Sequence, residues 1–418
     1  MCRGPGAQIG IRASVLVAVV AVAAGAVGGG RRCHAVEERC IADGDGASLL
    51  QFKTLGAGSS ASSASAATLS SLTGVRGSTP ALSALFGDID RRMRPLMHTT
   101  GWEDCDRMAA SVMRSGAQEK APALPVVIHS GVFVADEDLG TWSSPERKLR
   151  LGLLSFLASQ DPNSFHLNFW TNDPSNARLR SALDPVLADD RYAKRVTVSF
   201  FNASKEFQSI TPDPNASKLF IQLYEGNKLL ASKADIMRIA LLHNYGGMWV
   251  DADVLMVNSF APLAGEDWAY LGQDNFINNA LLSVSRPRSN FIRGFMAHAV
   301  LKCLDEAESG PDKNIYRFGP DMLKTIFQEV GSNPAEVEFF HVLPTCVFDG
   351  VWAMEKNAVG WDQFYKDVAT PEQVKYISPG VGPPFGYHWH GRWHIPITSG
   401  SVFDEAEKLY KHKLALQL

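Results

Sequence analysis

The segment GGMWVDADVLMV, residues 246–257, sets two carboxylates, Asp251 and Asp253, inside an apolar run. The paired glycines at its start predict the end of a helix, because glycine takes the left-handed conformation found just past helix ends. Residues 248–250 then predict a short buried strand that ends at the aspartates. An unpaired buried carboxylate is costly, so this segment needs a cation or another partner beside it.

The residues before the glycines, 232–245, predict a helix. Ser232 is a favourable N-cap residue. Asp235 follows in the first turn, where the helix dipole favours a carboxylate. Arg238 is three positions further on, so it lies on the same helix face as Asp235. The two residues form either part of a site or an ordinary surface salt bridge.

Asp251 and Asp253 would point to the same side of an extended strand end. Two carboxylates so close together repel unless something positive lies between or beside them. Mg²⁺ and Mn²⁺ prefer carboxylate oxygens, and Mg²⁺ often completes its shell with substrate phosphates. The pair therefore predicts a metal-bridged phosphate site, with solvated turn aspartates as the alternative. On this view, removal of Asp253 would relieve repulsion and leave stability nearly unchanged.

Short apolar segments alternate with helical patterns from residue 125 onward. Strands are predicted at 125–134, 165–170 and 195–202, and a helix is predicted at 145–159. This order predicts an α/β fold with a single Rossmann-like, mainly parallel sheet flanked by helices.

Ligands of such sheets bind beyond the carboxyl ends of the strands. We therefore expect Ile128, His129 and Asp173 to contact a bound cofactor, with Ser130 and Asn172 along the same edge. Ordinary turn chemistry is the alternative for the polar residues.

The N-terminal part of the chain differs from the rest in composition. An apolar run at 13–27, flanked by arginines, predicts a signal peptide or a signal anchor within residues 1–33. Residues 34–120 contain a Gly/Ala/Ser-rich tract and predict a stem with little structure of its own. Residues 121–418 are expected to form the folded, catalytic domain.

Other features bear on the compartment and the partners. The sequons at Asn202 and Asn215 agree with the lumen of the Golgi or another secretory compartment, for a type II membrane protein or a secreted one. Cys303 and Cys346 are the preferred disulfide pair, with free buried thiols as the alternative. The net charge of −4 gives no reason to expect nucleic acid.

A combined pattern runs through the central segment: a Ser-x-x-Asp-x-x-Arg helix, then Tyr-Gly-Gly, an aromatic residue and Asp-x-Asp. It resembles the family of sugar transferases with a DXD motif that includes the α-1,4-galactosyltransferases. Yeast initiating mannosyltransferases and glucosylating clostridial toxins are more distant relatives. The resemblance is strong over about 230–260 and weaker over about 125–395. Lys233-Ala234 and a tryptophan in place of a common tyrosine are departures. The matching residues are Ser232, Asp235, Arg238, Tyr245, Gly246, Gly247, Trp249, Asp251 and Asp253.

This resemblance implies an A-type glycosyltransferase fold and retaining transfer from a nucleotide-sugar donor, with a UDP-hexose favoured. The acceptor would be a glycan, a glycolipid or a glycoprotein. Asp253 would bind Mn²⁺ or Mg²⁺ directly, and Asp251 would contact the metal shell or the ribose. Asp235 and Arg238 would hold donor-sugar hydroxyls, with Trp249 packed near the nucleotide or the sugar.

The second half of the chain adds three candidates. The segment GYHWHGRWHI, 386–395, resembles the closing segment of the family, which makes His388 and His390 candidate ligands of the metal or the diphosphate. Asn279 would face the acceptor or the reacting centre, with turn hydrogen bonding as the alternative. A sugar-binding protein with a decayed site and, less favoured, an Asp-x-Asp phosphatase are the competing functions.

Overall fold

The computed structural model describes residues 125–133, 142–210, 214–226, 230–272, 277–289, 291–292, 319–323, 341–343, 345–351, 358–382 and 384–416. The predicted N-terminal segment and stem, residues 1–33 and 34–120, lie outside these ranges. Among the described helices, none is both long enough and apolar enough to cross a membrane.

The described strands belong to two sheets. They are β1 Val126–Val132, β2 Phe165–Thr171, β3 Val196–Phe200, β4 Gly247–Val250, β5 Val254–Met256, β6 Trp268–Leu271, β7 Ile277–Val284, β8 His341–Leu343 and β9 Gly386–His388. Seven of them form one sheet in the order β3-β2-β1-β4-β7-β6-β8, and β5 pairs with β9 in a small second sheet. In the large sheet only β7 runs against its neighbours, β4 and β6. The predicted α/β class with a mainly parallel central sheet is therefore confirmed.

Nine α-helices have both of their bounds within the described residues. They are α1 Pro145–Ser159, α2 Ala177–Leu187, α3 Asp190–Ala193, α4 Ala203–Gln208, α5 Pro214–Gly226, α6 Leu230–Tyr245, α7 Gln363–Lys366, α8 Pro371–Tyr376 and α9 Val402–Lys413. The helix predicted at 145–159 has the predicted bounds. Helix α6 begins at Leu230, so Ser232 is buried inside the helix and is not its N-cap as expected.

Helices cover both faces of the large sheet. Side chains alternate between the two faces along each strand, so neighbouring residues of one strand lie in different cores. In β4, Met248 and Val250 lie in the core shared with α1, α2 and α9. Trp249, between them, lies in the core on the α6 side. Strand β4 is thus buried on both faces, as its continuous apolar sequence requires.

The glycine pair between α6 and β4 does what the sequence predicts. Gly246 and Gly247 have φ values of 66° and 86°, and the Gly246 amide donates to the Leu242 carbonyl (2.9 Å). A Cβ on Gly247 would lie 2.3 Å from the carbonyl oxygen of Val127 in β1. Glycine is needed here both for the backbone conformation and for the close approach of β1 to β4.

Two features elsewhere touch the predictions on compartment and cysteines. Asn202 is exposed, and its side chain caps α4 by accepting from the Lys205 amide (3.0 Å). The side chain of Asn215 lies outside what the structure describes. Cys346 is disulfide-bonded, which excludes the free-thiol alternative for it. Every other cysteine falls outside the described residues, so the pairing with Cys303 stays a prediction.

Two glycines separate conformational strain from steric clash. Gly265 has nearly the same φ as Gly247 (85° against 86°), but its Cβ would meet nothing within 4 Å. We expect Gly265→Ala to cost about 1–2 kcal/mol of unfolding free energy for the left-handed conformation alone. Gly247→Ala should cost about 1–3 kcal/mol more, because the added atom overpacks against β1. Urea unfolding of both variants measures the difference, and equal losses would show that the approach of β1 to β4 can relax freely.

Candidate active site

The guanidinium of Arg238 bridges two carboxylates at the carboxyl edge of the sheet. Its Nη1 donates to Asp235 Oδ1 (2.7 Å) and its Nη2 donates to Asp251 Oδ1 (2.6 Å). The Trp249 indole N–H donates to the same Asp251 oxygen. The Arg238 side chain is only 3% exposed, so the pair with Asp235 is a buried ion pair and not the surface salt bridge that was the alternative.

Asp235 lies at one end of this bridge in a confined polar recess. Asn279, on β7, donates from Nδ2 to Asp235 Oδ1 (2.8 Å). Burial raises the pKa of Asp235 to about 6, although the charge of Arg238 and the Asn279 hydrogen bond oppose that shift. A Cβ on Gly319 would lie 2.6 Å from Asp235 Oδ2 and 2.4 Å from Asn279 Nδ2. Gly319 therefore packs so closely against both polar groups that it has no room for a side chain.

Asp251 and Asp253 belong to a tight turn between β4 and β5, and not to a continuing strand. The Asp251 amide donates to the Ala280 carbonyl (2.8 Å), and the Val254 amide donates back to the Asp251 carbonyl (3.1 Å). The side chain of Asp253 accepts from the Gly391 amide (2.5 Å) and lies 3.4 Å from His388 Nε2. The turn therefore directs both carboxylates toward the segment that carries His388.

Asp251, Asp253 and His388 offer ligand atoms that all lie within 4.8 Å of one another. Burial raises the pKa of Asp251, with Arg238 opposing. Burial would also raise the pKa of Asp253, but the charge of His388 and the hydrogen bonds it receives lower it below its usual range. Each aspartate thus has its own positive partner. Removal of Asp253 would leave the buried His388 with Asp349 as its remaining described carboxylate partner, so we now expect a loss of stability where the sequence alone predicted almost no change.

A second group, Tyr270, Asp349 and His390, lies behind His388. The Tyr270 hydroxyl donates to Asp349 Oδ2 (2.7 Å) and lies 3.0 Å from His388 Nδ1. His390 Nε2 lies 2.7 Å from Asp349 Oδ1, and the two imidazole rings stack with centroids 3.8 Å apart. Since the Tyr270 hydroxyl donates its hydrogen bond to Asp349, the Tyr270 oxygen accepts from His388 Nδ1–H. The other ring nitrogen of His388, Nε2, is then directed at Asp253.

His390 was predicted as a ligand together with the two aspartates, but the structure places it against Asp349. The set Asp349, His388 and His390 could also hold a metal by proximity. However, the Asp349 side chain is completely buried, whereas that of Asp251 is 26% exposed. The open set of Asp251, Asp253 and His388 is therefore the better cation site, and the buried set orients His388.

Sequence reasoning missed Tyr270 and Asp349. Asp349 stands alone in the apolar stretch CVFDGV, 346–351, and a lone carboxylate in such a stretch was the available signal. The tyrosine gave none, because an aromatic residue in a buried strand is ordinary core composition.

Two residues of β1 were predicted to contact a cofactor, but their side chains contact other parts of the protein. Ile128 is fully buried in the core on the α1 side. His129 Nδ1 accepts from the Trp170 indole (3.1 Å), so its Nε2 donates to the Gly246 carbonyl (3.1 Å). Burial lowers the pKa of His129 to about 4, which keeps the ring neutral. The structure assigns both side chains to the core instead of a cofactor site.

Two other predicted cofactor residues differ in their placement. Trp249 is buried, and its indole positions Asp251 instead of facing an open cleft. Asp173 lies at the predicted sheet edge, just past β2, where its Oδ1 accepts from the Ser175 amide (2.9 Å) and hydroxyl (2.6 Å). Ser130 lines a small, mostly apolar pocket together with Asp251.

The charge state of His388 makes a prediction for the metal-free protein. Burial alone would lower the pKa of His388, but the carboxylates of Asp253 and Asp349 outweigh it and raise the pKa to about 10. Because the pKa is higher in the folded than in the unfolded state, protonated His388 stabilises the fold. This contribution is fully present below the unfolded pKa of about 6.5 and is lost as the pH rises through 10. In chelator, His388→Gln should therefore remove a loss of stability between pH 6.5 and 10 that the wild type shows.

The comparison between variant and wild type isolates His388. Burial lowers the pKa of Lys148 to about 7, which adds stability over the same range as the pH rises. That opposing contribution is present in both proteins and cancels in their difference. Thermal unfolding at half-unit pH steps measures it, and parallel curves would show that His388 is neutral in the metal-free protein.

Comparisons with known proteins found one family model and several solved structures similar to this chain. A family model described as capsular polysaccharide synthesis protein matches residues 219–307, and no curated protein matches the chain. Among solved structures, the PaToxG glycosyltransferase is similar at 17% identity over 56% of this chain and 80% of its own, with a TM-score of 0.37. The galactosyltransferase LgtC, solved with donor and acceptor sugar analogues, is similar at 12% identity over 70% of this chain and 96% of its own, with a TM-score of 0.33. Mouse xyloside xylosyltransferase 1 is similar at 14% identity over 64% of this chain and 99% of its own, with a TM-score of 0.35.

All three structural matches are below 20% identity and below a TM-score of 0.5. At this level of similarity these matches do not identify the activity of this chain.

Proposed function

We propose that the protein is a metal-dependent glycosyltransferase of the A-type fold that moves a sugar from a nucleotide-sugar donor to a glycan, glycolipid or glycoprotein acceptor. The observation that carries this proposal is the convergence of Asp251, Asp253 and His388 at the carboxyl edge of the sheet. The match of residues 219–307 to a capsular polysaccharide synthesis family supports it. A UDP-hexose is the proposed donor, and retention of the anomeric configuration is the proposed outcome.

The two carboxylates and the imidazole are suitable ligands for Mn²⁺ or Mg²⁺. Mn²⁺ is favoured because it accepts both imidazole and carboxylate ligands. Asp251, Asp253 and His388 would hold the ion, which when bound supplies positive charge for a departing diphosphate. Within the described part of the chain, neither aspartate has hydrogen bonds on both of its carboxylate oxygens. Asp251 receives the Arg238 and Trp249 bonds on Oδ1, and no described residue bonds its Oδ2.

The recess around Asp235 is the proposed place for the donor sugar. Arg238 and Asn279 hold Asp235 Oδ1, so its second oxygen can accept from a sugar hydroxyl. Any side chain at Gly319 would collide with that oxygen, so glycine at this position keeps the oxygen unobstructed by a side chain. Because Arg238 also holds Asp251, the sugar recess and the metal site keep a fixed relation to each other, as catalysis by positioning requires.

The remaining parts of the proposal concern the nucleotide and the compartment. Asp173, at the same sheet edge, is proposed to contact the nucleoside, in keeping with where ligands bind in open α/β sheets. The apolar run at 13–27 and the exposed sequon at Asn202 support a secretory-pathway lumen, with residues 1–33 as a signal peptide or anchor.

The direct test is release of nucleoside diphosphate from a panel of nucleotide sugars by the full-length chain, with Mn²⁺ and with chelator. Slow hydrolysis of one donor that stops in chelator is expected, since water can replace the acceptor. Turnover of a phosphate monoester such as p-nitrophenyl phosphate, with no release from any nucleotide sugar, would indicate a phosphatase. Metal-dependent donor binding with no turnover, even with sugar acceptors added, would indicate a decayed site.

Variants at three aspartates separate ligand, orienting and surface roles. Asp253→Asn removes a proposed ligand and should lower turnover by about a thousandfold or more, a loss typical of removing charge stabilisation. Asp349→Asn should weaken Mn²⁺ binding by about 10–100-fold, as outer partners of ligand histidines do. Asp184→Asn is the matched control, because Asp184 is half-exposed and pairs with Arg180 within the same helix, α2. Calorimetric Mn²⁺ titration and turnover measure these effects, and equal behaviour of all three variants would contradict the assignment.

A further inference from the structure

Lys148 lies on α1, about 240 residues before the histidine segment, and its side chain is completely buried. Its Nζ donates to the carbonyl oxygens of Arg392 (2.9 Å), Trp393 (2.7 Å) and Ile395 (2.8 Å). An ammonium group has three N–H donors, so these three acceptors satisfy it fully. The cation also lies 4.3 Å from the centre of the Tyr365 ring.

The three carbonyls belong to the segment 388–395, which we call the closing segment. Its other end is fastened to the proposed metal site, where the Trp389 amide donates to the Asp253 carbonyl (3.1 Å) and the Gly391 amide donates to the Asp253 side chain (2.5 Å). His388, at its start, faces the same carboxylate. Lys148 and Asp253 thus hold the closing segment from its two ends.

The backbone between these two anchors is held in an unfavourable conformation. His390 and Gly391 have φ values of 51° and 62°. A left-handed conformation costs free energy for a residue other than glycine and persists only where the surroundings enforce it. Within the described residues, Lys148 is the charged side chain that bonds the backbone immediately after this bend.

We propose that Lys148 is a positioning residue that fixes the closing segment so that Gly391 and His388 meet Asp253. It acts through the backbone and contacts neither the proposed ion nor the proposed donor. The inference rests on the proposed function only in its effect on metal binding, because the effect on the closing segment itself needs no metal.

The neighbouring residue provides a matched control. Arg147, also on α1, pairs with Glu407 (2.5 Å) and Asp404 (2.9 Å) on α9 and makes no described contact with the closing segment. Lys148→Met and Arg147→Met each remove one cation from the same helix while keeping an unbranched apolar stem. A general weakening of α1 packing would affect both variants, whereas loss of the closing-segment anchor would affect only Lys148→Met.

The first measurement is amide hydrogen exchange over residues 388–392 of the full-length, metal-free protein at pH 6.5, below the pKa of about 7 that burial gives Lys148. Exchange in Lys148→Met should be about tenfold faster or more, because local opening governs protection, while Arg147→Met should match the wild type. The second measurement is Mn²⁺ affinity, which should fall about tenfold in Lys148→Met, in line with the loss of outer support for a ligand. Wild-type protection in Lys148→Met, or equal loss in both variants, would overturn the proposal.

Two further outcomes are decided in advance. If Lys148→Met does not fold, Lys148→Gln takes its place, since glutamine is uncharged and can bond at most two of the three carbonyls. Faster exchange in this variant than in the wild type supports the anchor, and wild-type exchange overturns it. If the wild type binds no Mn²⁺, the proposed metal site fails, and the exchange experiment still decides the role of Lys148.

Discussion

The buried guanidinium of Arg238 is the interaction on which the rest of the site depends. It is held between Asp235 and Asp251, and its planar fork reaches both carboxylates at once, which a lysine ammonium cannot do with the same geometry. Loss of one partner from a buried ion pair leaves an uncompensated charge and costs several kcal/mol. Because Arg238 lies on α6 and Asp251 follows β4, this bridge makes the packing of α6 against the sheet determine where the aspartates point.

The second carboxylate, Asp253, is compensated by a different kind of group. His388 holds a proton in the metal-free protein because two carboxylates face it. That proton and a divalent cation compete for the same place, so binding of the ion would release the proton. The fold is therefore electrostatically satisfied without the ion, and still presents an open set of ligands to it. This answers how the DAD sequence is tolerated at the end of a buried strand.

The sequence predicted features that depend on neighbouring residues, and missed contacts between residues far apart along the chain. The α1 helix, the first strands and the glycine turn follow from local periodicity and backbone conformation, and the structure has them where expected. The N-cap prediction at Ser232 was wrong because helix α6 already begins at Leu230, three residues before the expected first helical residue. Asp349 could not be linked to His388 and Tyr270, since those contacts span 39 and 79 residues and depend on strand register. His129 was predicted to contact a cofactor, but its ring nitrogen Nδ1 already accepts a hydrogen bond from the Trp170 indole, 41 residues further along the chain.

Register also explains how His388, more than 130 residues further along the chain, reaches Asp253. Strands β5 and β9 pair antiparallel with Val254 opposite His388, which sets His388 beside the residue that follows Asp253. Side chains alternate along a strand, so a slip of one residue would exchange the places of His388 and Trp389. Trp389 is completely buried among apolar side chains, and a histidine cation in its place would be strongly disfavoured. The apolar core thus selects the register that delivers His388, and the polar site is formed as a consequence of core packing.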